Sequence, residues 1–471
     1  MRILEPASKD AMRLLMQGSY ALSIMEGNGM PVSESAIDAA EKDMNSRIAE
    51  IETNLRADDI FLAQRRRYGK NCSLGSREQL AHVLYKEMKL PGAKKSPKSG
   101  KYVMDDDVLE ALENEHDIDY ISNFRQLQGL KKVRDTYIRG LRTYLNNGRI
   151  HGEFMLNTVK TYRSSAKDPN LTTMPSRDPE QAAYIKRCFV PRDGWRIVEI
   201  DFSSLEVRIG CCYHKDPTMM EYLDKDYDMH SDISKQCYRF TDEEWKEQDK
   251  TKTKVLRSAA KGDAVFGWQY GNYYVDVCSR LWKTAKRQDL MDHLQTKGIK
   301  RFGLERDPQT DKWVEHHGND SFVTHIKSVE EDFWGRRFKV YDQWRRKFYA
   351  QYLKHGYFQT KTGFLWHGVE KRNFVINCPI QGSAFHCLLE SIIRVQKQIT
   401  KRRMESLLIC EIHDSLLAEV PENEVDDYVE MATGIMSQEI PNDWDWIITP
   451  LPVEVETSAT SWYDKKPFHK E

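Results

Sequence analysis

Apolar side chains recur at helical spacing over residues 8–56. They fall three or four positions apart around Leu14 and Met25, and again around Ile37 and Ile48. This period is that of an amphipathic α-helix with one buried face. A Gly-Asn-Gly-Met-Pro segment interrupts the pattern between the two groups, and glycine and proline favour turns. The pattern predicts helix on both sides of this break.

Later segments show the shorter apolar runs that are typical of β-strands. Residues 196–201 form one such run, which ends in Asp201, and residues 406–420 form two more around a polar His-Asp turn. The rest of the pattern predicts helices over most of 216–360 with a polar interruption near 296–320, a helix at 422–438 and a strand at 451–456. The sequence therefore predicts an α+β chain, rich in helix, with a small sheet assembled from distant segments.

Composition narrows the class of protein. The chain has 471 residues, of which 40% are hydrophobic and 30% charged, so it can bury a sizeable core and is not disordered. It lacks an apolar run of the ~18 residues that span a membrane, and its first residues lack the apolar core of a signal peptide. Its nine scattered cysteines contain no CxxC pair, which predicts free thiols. We expect a cytoplasmic protein that is neither secreted nor bound to a membrane.

A formal net charge of −1 hides a sharp charge asymmetry. Residues 61–102 carry eleven Lys or Arg against two acids, whereas residues 103–120 carry eight acids and no Lys or Arg. Part of the basic stretch is a loop, 93–101, that contains Lys94, Lys95, Lys98 and Lys101 and little apolar surface of its own. A basic face of this kind is expected where a protein meets a polyanion, although a solvated helical surface gives the same pattern.

Two carboxylates accompany the apolar strands. Asp201 follows Ile-Val-Glu-Ile, and Asp414 follows Leu-Leu-Ile-Cys-Glu-Ile-His. Two acids from adjacent strands can hold a pair of Mg²⁺ ions about 3.5–4 Å apart for in-line phosphoryl transfer. Either acid alone is more often the cap of a following helix or the end of a strand. The pair is therefore weak evidence by itself.

A third segment, 257–271, adds cations and aromatic residues. Arg257 and Lys261 are four positions apart, so that a helix places both on one face, where they can bind a triphosphate. Small residues surround the pair, and Tyr270 follows as a possible stacking surface for a base or sugar. A cationic pair on a helix is usually only solvated, but a solvated face does not require the small neighbours.

Together these segments resemble the family A (DNA polymerase I type) DNA polymerases. Its motifs A, B and C are matched in order by Asp201-Phe-Ser-Ser-Leu-Glu206-Val-Arg208, by Arg257, Lys261, Phe266, Tyr270 and Gly271, and by His413-Asp414. Flanking segments that also resemble the family are 73–80, 148–151, 161–171 and 377–384. The resemblance runs from about residue 10 to the C-terminus. It implies a right-hand architecture, with a thumb, a palm that holds a small antiparallel sheet, and helical fingers.

The resemblance also implies an activity and a role for each matching residue. The activity is template-directed addition of deoxynucleotides to a primer 3′ end by two-metal-ion phosphoryl transfer, with two Mg²⁺ ions. The implied metal ligands are Asp201, Asp414 and the Phe202 carbonyl. The residues implied to bind the triphosphate are Arg257, Lys261 and His230. Sugar and nucleotide selection falls to Glu206, Phe266 and Tyr270. DNA contacts fall to Arg163, Asn377, Gln381 and His413 in the minor groove, and to Lys94, Lys95, Lys98 and Lys101 on duplex phosphates.

Several positions depart from the family pattern. Four residues, and not three, separate Lys261 from the motif B aromatic Phe266. A π-bulge near Gly262 would return Phe266 to the cationic face, whereas a regular helix would place Val265 there, and we expect the bulge. Asp263 is an unusual acid near a triphosphate, so we expect its side chain to point away. Ser204 and Ser415 replace the usual glutamine and glutamate, and extra length falls near 283–320.

Domain divisions and partners follow from the same resemblance. The expected divisions are an N-terminal helical segment (1–47), the thumb (48–148), the first part of the palm (149–229), the fingers (230–385) and the second part of the palm (386–471). Few residues precede the thumb, so we expect a monomeric polymerase module that lacks a proofreading exonuclease domain and relies on a separate exonuclease. The expected ligands are primer–template DNA and dNTPs. The alternatives are a catalytically inactive DNA-binding protein on the same fold and a related RNA polymerase, which Glu206 opposes.

Overall fold

The computed structural model describes residues 5–96, 99–116, 118–174, 179–225, 227–306, 313–315 and 318–470. Its strands are β1 (Glu5–Pro6), β2 (Met30–Pro31), β3 (Leu145–Asn146), β4 (Arg149–Ile150), β5 (Glu153–Met155), β6 (Ser165–Lys167), β7 (Trp195–Phe202), β8 (Leu304–Arg306), β9 (Trp313–Glu315), β10 (Tyr357–Gln359), β11 (Phe364–His367), β12 (Leu407–Ile412), β13 (Ser415–Pro421), β14 (Val453–Ser458) and β15 (Lys466–Pro467).

Helices make up most of the remaining structure. They are α1 (Lys9–Asn28), α2 (Glu34–Ala57), α3 (Asp59–Tyr68), α4 (Arg77–His82), α5 (Asp106–His116), α6 (Asp119–Lys132), α7 (Arg139–Tyr144), α8 (Pro179–Lys186), α9 (Leu205–His214), α10 (Pro217–Asp224), α11 (Met229–Tyr238), α12 (Asp242–Glu247), α13 (Lys250–Ala259), α14 (Phe266–Gln269), α15 (Tyr274–Arg287), α16 (Met291–Thr296), α17 (Phe322–Asp332), α18 (Lys339–His355), α19 (Arg372–Arg402), α20 (Val425–Gly434) and α21 (Ile440–Asp443). π-helical segments lie at Val83–Glu87, Val133–Ile138, Ala260–Val265, Phe333–Arg337 and Ile435–Glu439.

The largest sheet is antiparallel and has the strand order β12-β13-β7-β14-β15. Its central strand, β7, alternates buried Ile197, Val198 and Ile200 with more exposed positions, and β13 is buried along its whole length. The register pairs Asp201 of β7 with Ser415 of β13. The C-terminal end of β7 therefore lies beside the turn between β12 and β13.

A long helix, α19, packs against this sheet and against α1 as part of one hydrophobic core. Close packing requires glycine at two positions of this region. A Cβ atom on Gly18 of α1 would lie 2.8 Å from Leu389 of α19, and one on Gly382 of α19 would lie 2.8 Å from the Thr161 carbonyl oxygen. These contacts hold α19 and the loop around Thr161 in fixed positions next to the sheet.

A second hydrophobic core is formed by residues between Cys211 and Tyr341. Its fully buried aromatic side chains include Trp268, Phe322 and Phe333. The helices that carry this core, from α10 to α17, form a helical unit that follows the β7 strand in sequence. The chain then returns through α18 and α19 to the first core.

These elements confirm the predicted α+β fold class and most of the predicted elements. The break in the first helical region is the turn between α1 and α2, and it contains β2. The polar interruption near 296–320 contains the β8–β9 hairpin. The strand predicted at 451–456 begins two residues late, at Val453, because the preceding Pro452 has no N–H for the ladder.

Three of the expected domain boundaries fall inside helices. The boundary at 47/48 lies within α2, that at 229/230 lies in the first turn of α11, and that at 385/386 lies within α19. The domain division stays a prediction. All nine cysteines lie within the described residues as free thiols, as predicted. Among the described residues, the helices include none with the length and apolarity to cross a bilayer.

Candidate active site

Asp201 and Asp414 meet at one end of the central sheet. Asp201 is the penultimate residue of β7, and Asp414 lies in the turn that joins β12 to β13. The Phe202 backbone N–H donates to the Asp414 carbonyl oxygen at 3.3 Å. Asp201 is not a helix cap, because α9 begins only at Leu205 and its N-cap residue is Ser204.

A third acid, Glu454, lies on the other side of Asp201. It pairs with Asp201 in the register of β14 with β7, and both residues line one cavity of about 490 Å³. Sequence reasoning missed this residue. The alternation Val453-Glu454-Val455-Glu456 marks a strand with one polar face, but the register that places Glu454 beside Asp201 follows only from the assembled sheet.

The acids at this end of the sheet shift one another's proton affinity. Burial, followed by the negative charges of Asp414, Glu199 and Glu454, raises the pKa of Asp201 to about 7. Burial also raises the pKa of Asp414, although the Arg163 and His413 side chains oppose this shift. A carboxylate site of this kind favours a cation, because a cation relieves the repulsion and stabilises the ionised forms.

The donor set suits Mg²⁺ bound together with a phosphate ligand. Within the described part of the chain, no three Asp, Glu, His or Cys side chains are grouped to hold a metal ion by themselves. Asp201 and Asp414 supply two carboxylates, and Phe202 lines the same cavity as Asp201. Mg²⁺ commonly binds one or two carboxylates, water and substrate phosphates without a complete protein cage, so these residues fit that ion.

Two cationic side chains and a histidine line the opposite wall of the cavity. Arg257 comes from α13, Lys261 from the π-helical segment that follows it, and His230 from the first turn of α11. These three residues belong to the helical unit with the second core, whereas the acids belong to the sheet. The cavity therefore has an acidic floor and a basic wall, an arrangement that suits a metal-bound polyphosphate.

The predicted bulge in motif B is confirmed. Residues Ala260–Val265 form a π-helical segment between α13 and α14. The Phe266 ring lies 5.9 Å from the His230 ring and 5.7 Å from the Lys261 ammonium nitrogen. Val265 is instead fully buried in the second core. The wider π turn thus returns Phe266 to the side of the cavity.

Asp263 points away from the cavity, as predicted. Its carboxylate oxygen lies 3.4 Å from the Arg280 guanidinium on α15. Burial raises the pKa of Asp263 although Arg280 opposes the shift. Its negative charge is therefore directed to α15, and not to the cations of the cavity.

His230 is neutral at physiological pH. Burial, followed by the positive charges of Lys261 and Arg257, lowers the pKa of His230 to about 4. Its buried Nδ1 atom has no hydrogen-bond partner among the described residues. A buried polar atom without a partner is costly, and a ligand in the cavity could satisfy it.

Glu206 lies between two other residues singled out in the sequence. It forms an ion pair with Arg163 and accepts a hydrogen bond from the Tyr270 hydroxyl. A small cavity next to Glu206 and Tyr270 is also lined by Asn377 and Gln381, which are four positions apart on α19. These five residues are therefore brought together beside the acidic floor.

His413 and a missed acid, Glu411, flank the same turn. His413 is exposed and has a left-handed backbone conformation, with φ of 58°. Glu411 is buried and accepts a hydrogen bond from the Ser164 hydroxyl. Burial raises the pKa of Glu411 to about 7, with the Ser164 hydrogen bond in opposition. Glu411 thus links the strand before Asp414 to the segment that carries Arg163.

The lysine-rich loop is a separate surface. Ser96 N–H donates to the Lys101 carbonyl and Val103 N–H to the Lys94 carbonyl, each at 2.8 Å, so the loop folds back on itself. The Lys101 ammonium is 2.8 Å from Glu78, and that of Lys95 is 5.4 Å from the Tyr102 ring centroid. None of these described lysines lines the acidic cavity. Lys98 lies outside the described residues.

Known proteins resemble this chain over nearly its whole length. DNA polymerase I of Bacillus subtilis (strain 168) is 26% identical over 460 residues, which cover 96% of this chain and 46% of that protein. The thermostable DNA polymerase I of Thermus aquaticus is 26% identical over 439 residues, covering 93% of this chain and 46% of that protein. The chain thus spans about half the length of the curated relatives it matches.

A solved structure has the same fold. It is the POL domain of Pol1 from M. smegmatis in complex with a DNA primer-template and dNTP, with a TM-score of 0.72 and 23% identity. The match covers 96% of this chain and 70% of that chain, and it confirms the predicted right-hand polymerase architecture.

The family match has one internal gap. A model of DNA polymerase family A matches residues 36–303 and 325–464. The gap contains the β8–β9 hairpin and overlaps the extra length predicted near 283–320. With more than half of the chain matched, the chain belongs to DNA polymerase family A.

Proposed function

We propose that the chain is a template-directed DNA polymerase that adds deoxynucleotides to the 3′ end of a primer. The observation that carries this proposal is one cavity lined by Asp201, at the end of β7 beside Asp414, and by the basic wall of Arg257, Lys261 and His230. Acids that suit a metal and cations that suit a triphosphate face each other there, as phosphoryl transfer requires.

We propose that Asp201, Asp414 and the Phe202 carbonyl hold two Mg²⁺ ions. When bound, such ions lower the pKa of the attacking hydroxyl and stabilise charge on the attacking and leaving oxygens. The two carboxylates would hold the ions from the end of β7 and from the turn between β12 and β13, and backbone hydrogen bonds between these segments keep the acids in place. This rigid support limits the reorganisation needed at the transition state.

The basic wall binds the leaving group in this proposal. Arg257 and Lys261 neutralise charge on the triphosphate. A ring nitrogen of neutral His230 forms a hydrogen bond to a phosphate group, either as donor to a phosphate oxygen or as acceptor from a protonated phosphate. The primer 3′ oxygen forms a bond to the α-phosphorus, the bond to the bridging oxygen breaks, and pyrophosphate leaves with the electron pair. The cations stabilise the negative charge that builds on that bridging oxygen.

The neighbouring side chains select the nucleotide and the base pair. We propose that the Glu206 carboxylate excludes a ribose 2′-hydroxyl, and that the Tyr270 hydroxyl supports Glu206 through its hydrogen bond. We propose that Arg163, Asn377, Gln381 and His413 donate hydrogen bonds to minor-groove acceptors. Those acceptors lie at similar places in every correct pair, so such donors test pair shape without reading sequence.

Primer–template DNA and dNTPs are the ligands that we propose. The lysine-rich loop at 93–101 would contact duplex phosphates through charge alone. A monomeric state, a cytoplasmic location and a separate proofreading exonuclease stay predictions.

Primer extension with the purified chain tests the proposal. The wild type should extend a primer with dNTPs and Mg²⁺, and extend it poorly with NTPs because of Glu206. Asp201→Asn and Asp414→Asn should each lower the rate by more than about tenfold while primer–template binding stays nearly unchanged, since they alter metal binding and not DNA contacts. Asp263→Asn is the matched control, because this acid faces Arg280, and it should keep near wild-type activity.

The same assay separates the alternatives. A catalytically inactive DNA-binding protein would bind primer–template and fail to extend it with either kind of nucleotide. An RNA polymerase would prefer NTPs. The unusual spacing of motif B was the feature in favour of an inactive protein, and the π-helical segment accounts for that spacing without loss of the basic wall.

A further inference from the structure

The carboxylate of Asp228 joins two helices of the basic wall. Asp228 is the N-cap residue of α11, and one carboxylate oxygen accepts from the Ser231 backbone N–H at 3.1 Å. The other oxygen accepts from the Ser231 hydroxyl at 2.6 Å and from the Arg257 Nε at 2.7 Å. One side chain therefore caps the helix that carries His230 and also contacts the helix that carries Arg257.

Asp228 is ionised at every pH at which a polymerase works. Partial burial acts to raise its pKa, but the hydrogen bonds from Arg257 and Ser231 outweigh burial and lower the pKa of Asp228 to about 2. The bond to Arg257 is thus a charge-assisted hydrogen bond, which is stronger and more directional than a neutral one.

The choice of nitrogen matters for what Arg257 can do. The guanidinium group has five N–H donors in a planar fork, and Asp228 uses the one on Nε. The terminal nitrogens Nη1 and Nη2 are not used in this bond, and they form the side of the fork that binds phosphate in a bidentate manner. A carboxylate on Nε fixes the plane of the group, so it lowers the entropy that Arg257 loses when it binds a ligand.

The groups around Asp228 agree with this role. Asp228, Arg257, His230 and Lys261 all line the cavity that contains Asp201. The nearby acid Asp232 on the same helix is instead turned to Arg337 and Tyr222, and takes no part in this contact. Asp228 is the acid that connects the cationic residues of the wall.

We propose that Asp228 is a positioning residue for the incoming triphosphate. It orients the Arg257 guanidinium through Nε so that both terminal nitrogens face the phosphates, and it holds His230 in place by capping α11. Asp228 does not compete with the triphosphate, because the two use different nitrogens of Arg257. This inference rests on the proposed function and adds to it a residue that contacts neither metal nor DNA.

Two substitutions separate the two contacts of Asp228. Asp228→Ser keeps an N-cap oxygen for α11, since serine is among the best N-cap residues, but is too short to reach Arg257. Asp228→Asn keeps the cap through its single amide oxygen, but the amide NH2 takes the place of the oxygen that accepts from the Arg257 Nε, and two donors cannot bond to each other. Ser231→Ala is the control: it removes the Ser231 hydroxyl and leaves both the backbone cap and the Arg257 contact.

We expect the KM for dNTP in primer extension to identify the role. Asp228→Ser should raise KM by about tenfold or more, because a charge-assisted hydrogen bond is lost, and kcat should change by less. Asp228→Asn should raise KM by a similar factor, because it also lacks an acceptor for the Arg257 Nε, whereas Ser231→Ala should stay within about threefold of wild type. The affinity for primer–template and the melting temperature of Asp228→Ser should stay near the wild-type values, which a general structural defect would not allow.

A double-mutant cycle with Arg257→Ala tests the route of the effect. If Asp228 acts through Arg257, Asp228→Ser should add less than about twofold to the KM of Arg257→Ala. Three results would each overturn the proposal. They are a tenfold rise in KM when Asp228→Ser is added to Arg257→Ala, an unchanged KM in Asp228→Ser alone, and a lower KM in Asp228→Ser, which would show that Asp228 competes with the triphosphate for Arg257. Equilibrium dialysis with labelled dNTP gives the same comparison without turnover. Absence of wild-type extension would overturn the proposed polymerase function alone.

Discussion

Single side chains at the end of the central sheet show how the fold sets chemical behaviour. Asp201 would be ionised at neutral pH in a free chain, yet burial and three neighbouring acids raise its pKa to about 7. Its position is fixed by backbone pairing on both sides, with Ser415 and with Glu454. The sheet holds these acids close together, and the repulsion between their negative charges makes the site favourable for a cation.

The raised pKa of Asp201 predicts a pH-dependent stability difference. In the metal-free chain, the folded state binds this proton up to about pH 7, whereas the unfolded state loses it near pH 4. The free energy of unfolding therefore falls as the pH rises between these values. Asp201→Asn removes this pH-dependent loss of stability. It should exceed the wild type in unfolding free energy by about 1–2 kcal/mol at pH 8, after allowance for solvent screening, because part of the Asp201 side chain stays exposed to water.

Urea unfolding in EDTA at pH 4 and pH 8 measures this difference. The two chains should have similar stability at pH 4, because Asp201 is then protonated in the wild type. An equal difference at both pH values would contradict the assigned pKa shift.

Phe266 gives a second prediction at the level of one residue. Its ring lies beside Lys261 and His230, which line the cavity. The family resemblance implies that phenylalanine at this position goes with rejection of dideoxynucleotides. Phe266→Tyr adds a hydroxyl that can replace the missing 3′-hydroxyl near the phosphates. Discrimination against dideoxynucleotides should fall by about 1–3 kcal/mol, the value of a hydrogen bond to a charged group.

Competition between dideoxy- and deoxynucleotides in primer extension measures this change. Phe302→Tyr is the control, because that ring stacks on Trp282 and packs against the second core. Equal discrimination in Phe266→Tyr and the wild type would show that Phe266 does not contact the sugar.

The π-helical segment Ala260–Val265 is the element that sets the register of motif B. It takes up one residue more than an α-helical turn, so Lys261 and Phe266 share a side although five positions separate them. Deletion of Gly262 should let the segment close as a regular α-helix with the same faces aligned. Primer extension should then stay within about tenfold of wild type, and the melting temperature should rise because a glycine leaves the helix.

An alanine inserted after Gly262 is the matched control for that deletion. It adds a second extra residue, which rotates Phe266 by about 100° from the cationic face, and it should abolish extension. Loss of activity in both variants would show that the length of this segment, and not its register, is required.

The same elements show what the sequence could reveal and what it could not. The sequence predicts Asp201 and Asp414 as candidate site residues because each follows an apolar strand. It predicts the bulge because one extra residue separates Lys261 from Phe266. The roles of Glu454 and Asp228 cannot be predicted from the sequence. Their roles depend on strand register and on the partner that a side chain selects across two helices, and neither is encoded in local spacing.

At the scale of the whole molecule, the acids and the cations of the cavity belong to different cores. The sheet and α19 share one core, whereas the helices that carry Arg257 and His230 surround the other. The distance between the acidic floor and the basic wall therefore depends on how the elements of the two cores pack. Any ligand that contacts both surfaces stabilises one relative arrangement of those units.

The basic stretch at 61–102 is the largest charge feature of the chain, and it gives a prediction for DNA binding as a whole. Within its loop, Lys94 and Lys95 are exposed, and Lys101 is partly engaged by Glu78. Replacement of Lys94, Lys95, Lys98 and Lys101 by alanine should weaken primer–template binding. It should also flatten the plot of log affinity against log salt by up to about 0.9 for each lost phosphate contact.

DNA-binding titrations at salt concentrations from 50 to 200 mM measure this slope. They are repeated with a second duplex of unrelated sequence. Both duplexes should lose affinity equally, because phosphate contacts carry no base information. Alanine at Lys397 and Lys401, near the end of α19 in the other part of the chain, removes charge without touching the loop and should leave the slope nearly unchanged. The slope is proportional to the number of phosphates that the protein neutralises, because each releases counterions. A slope that stays at the wild-type value in the loop variant would therefore show that the duplex binds elsewhere.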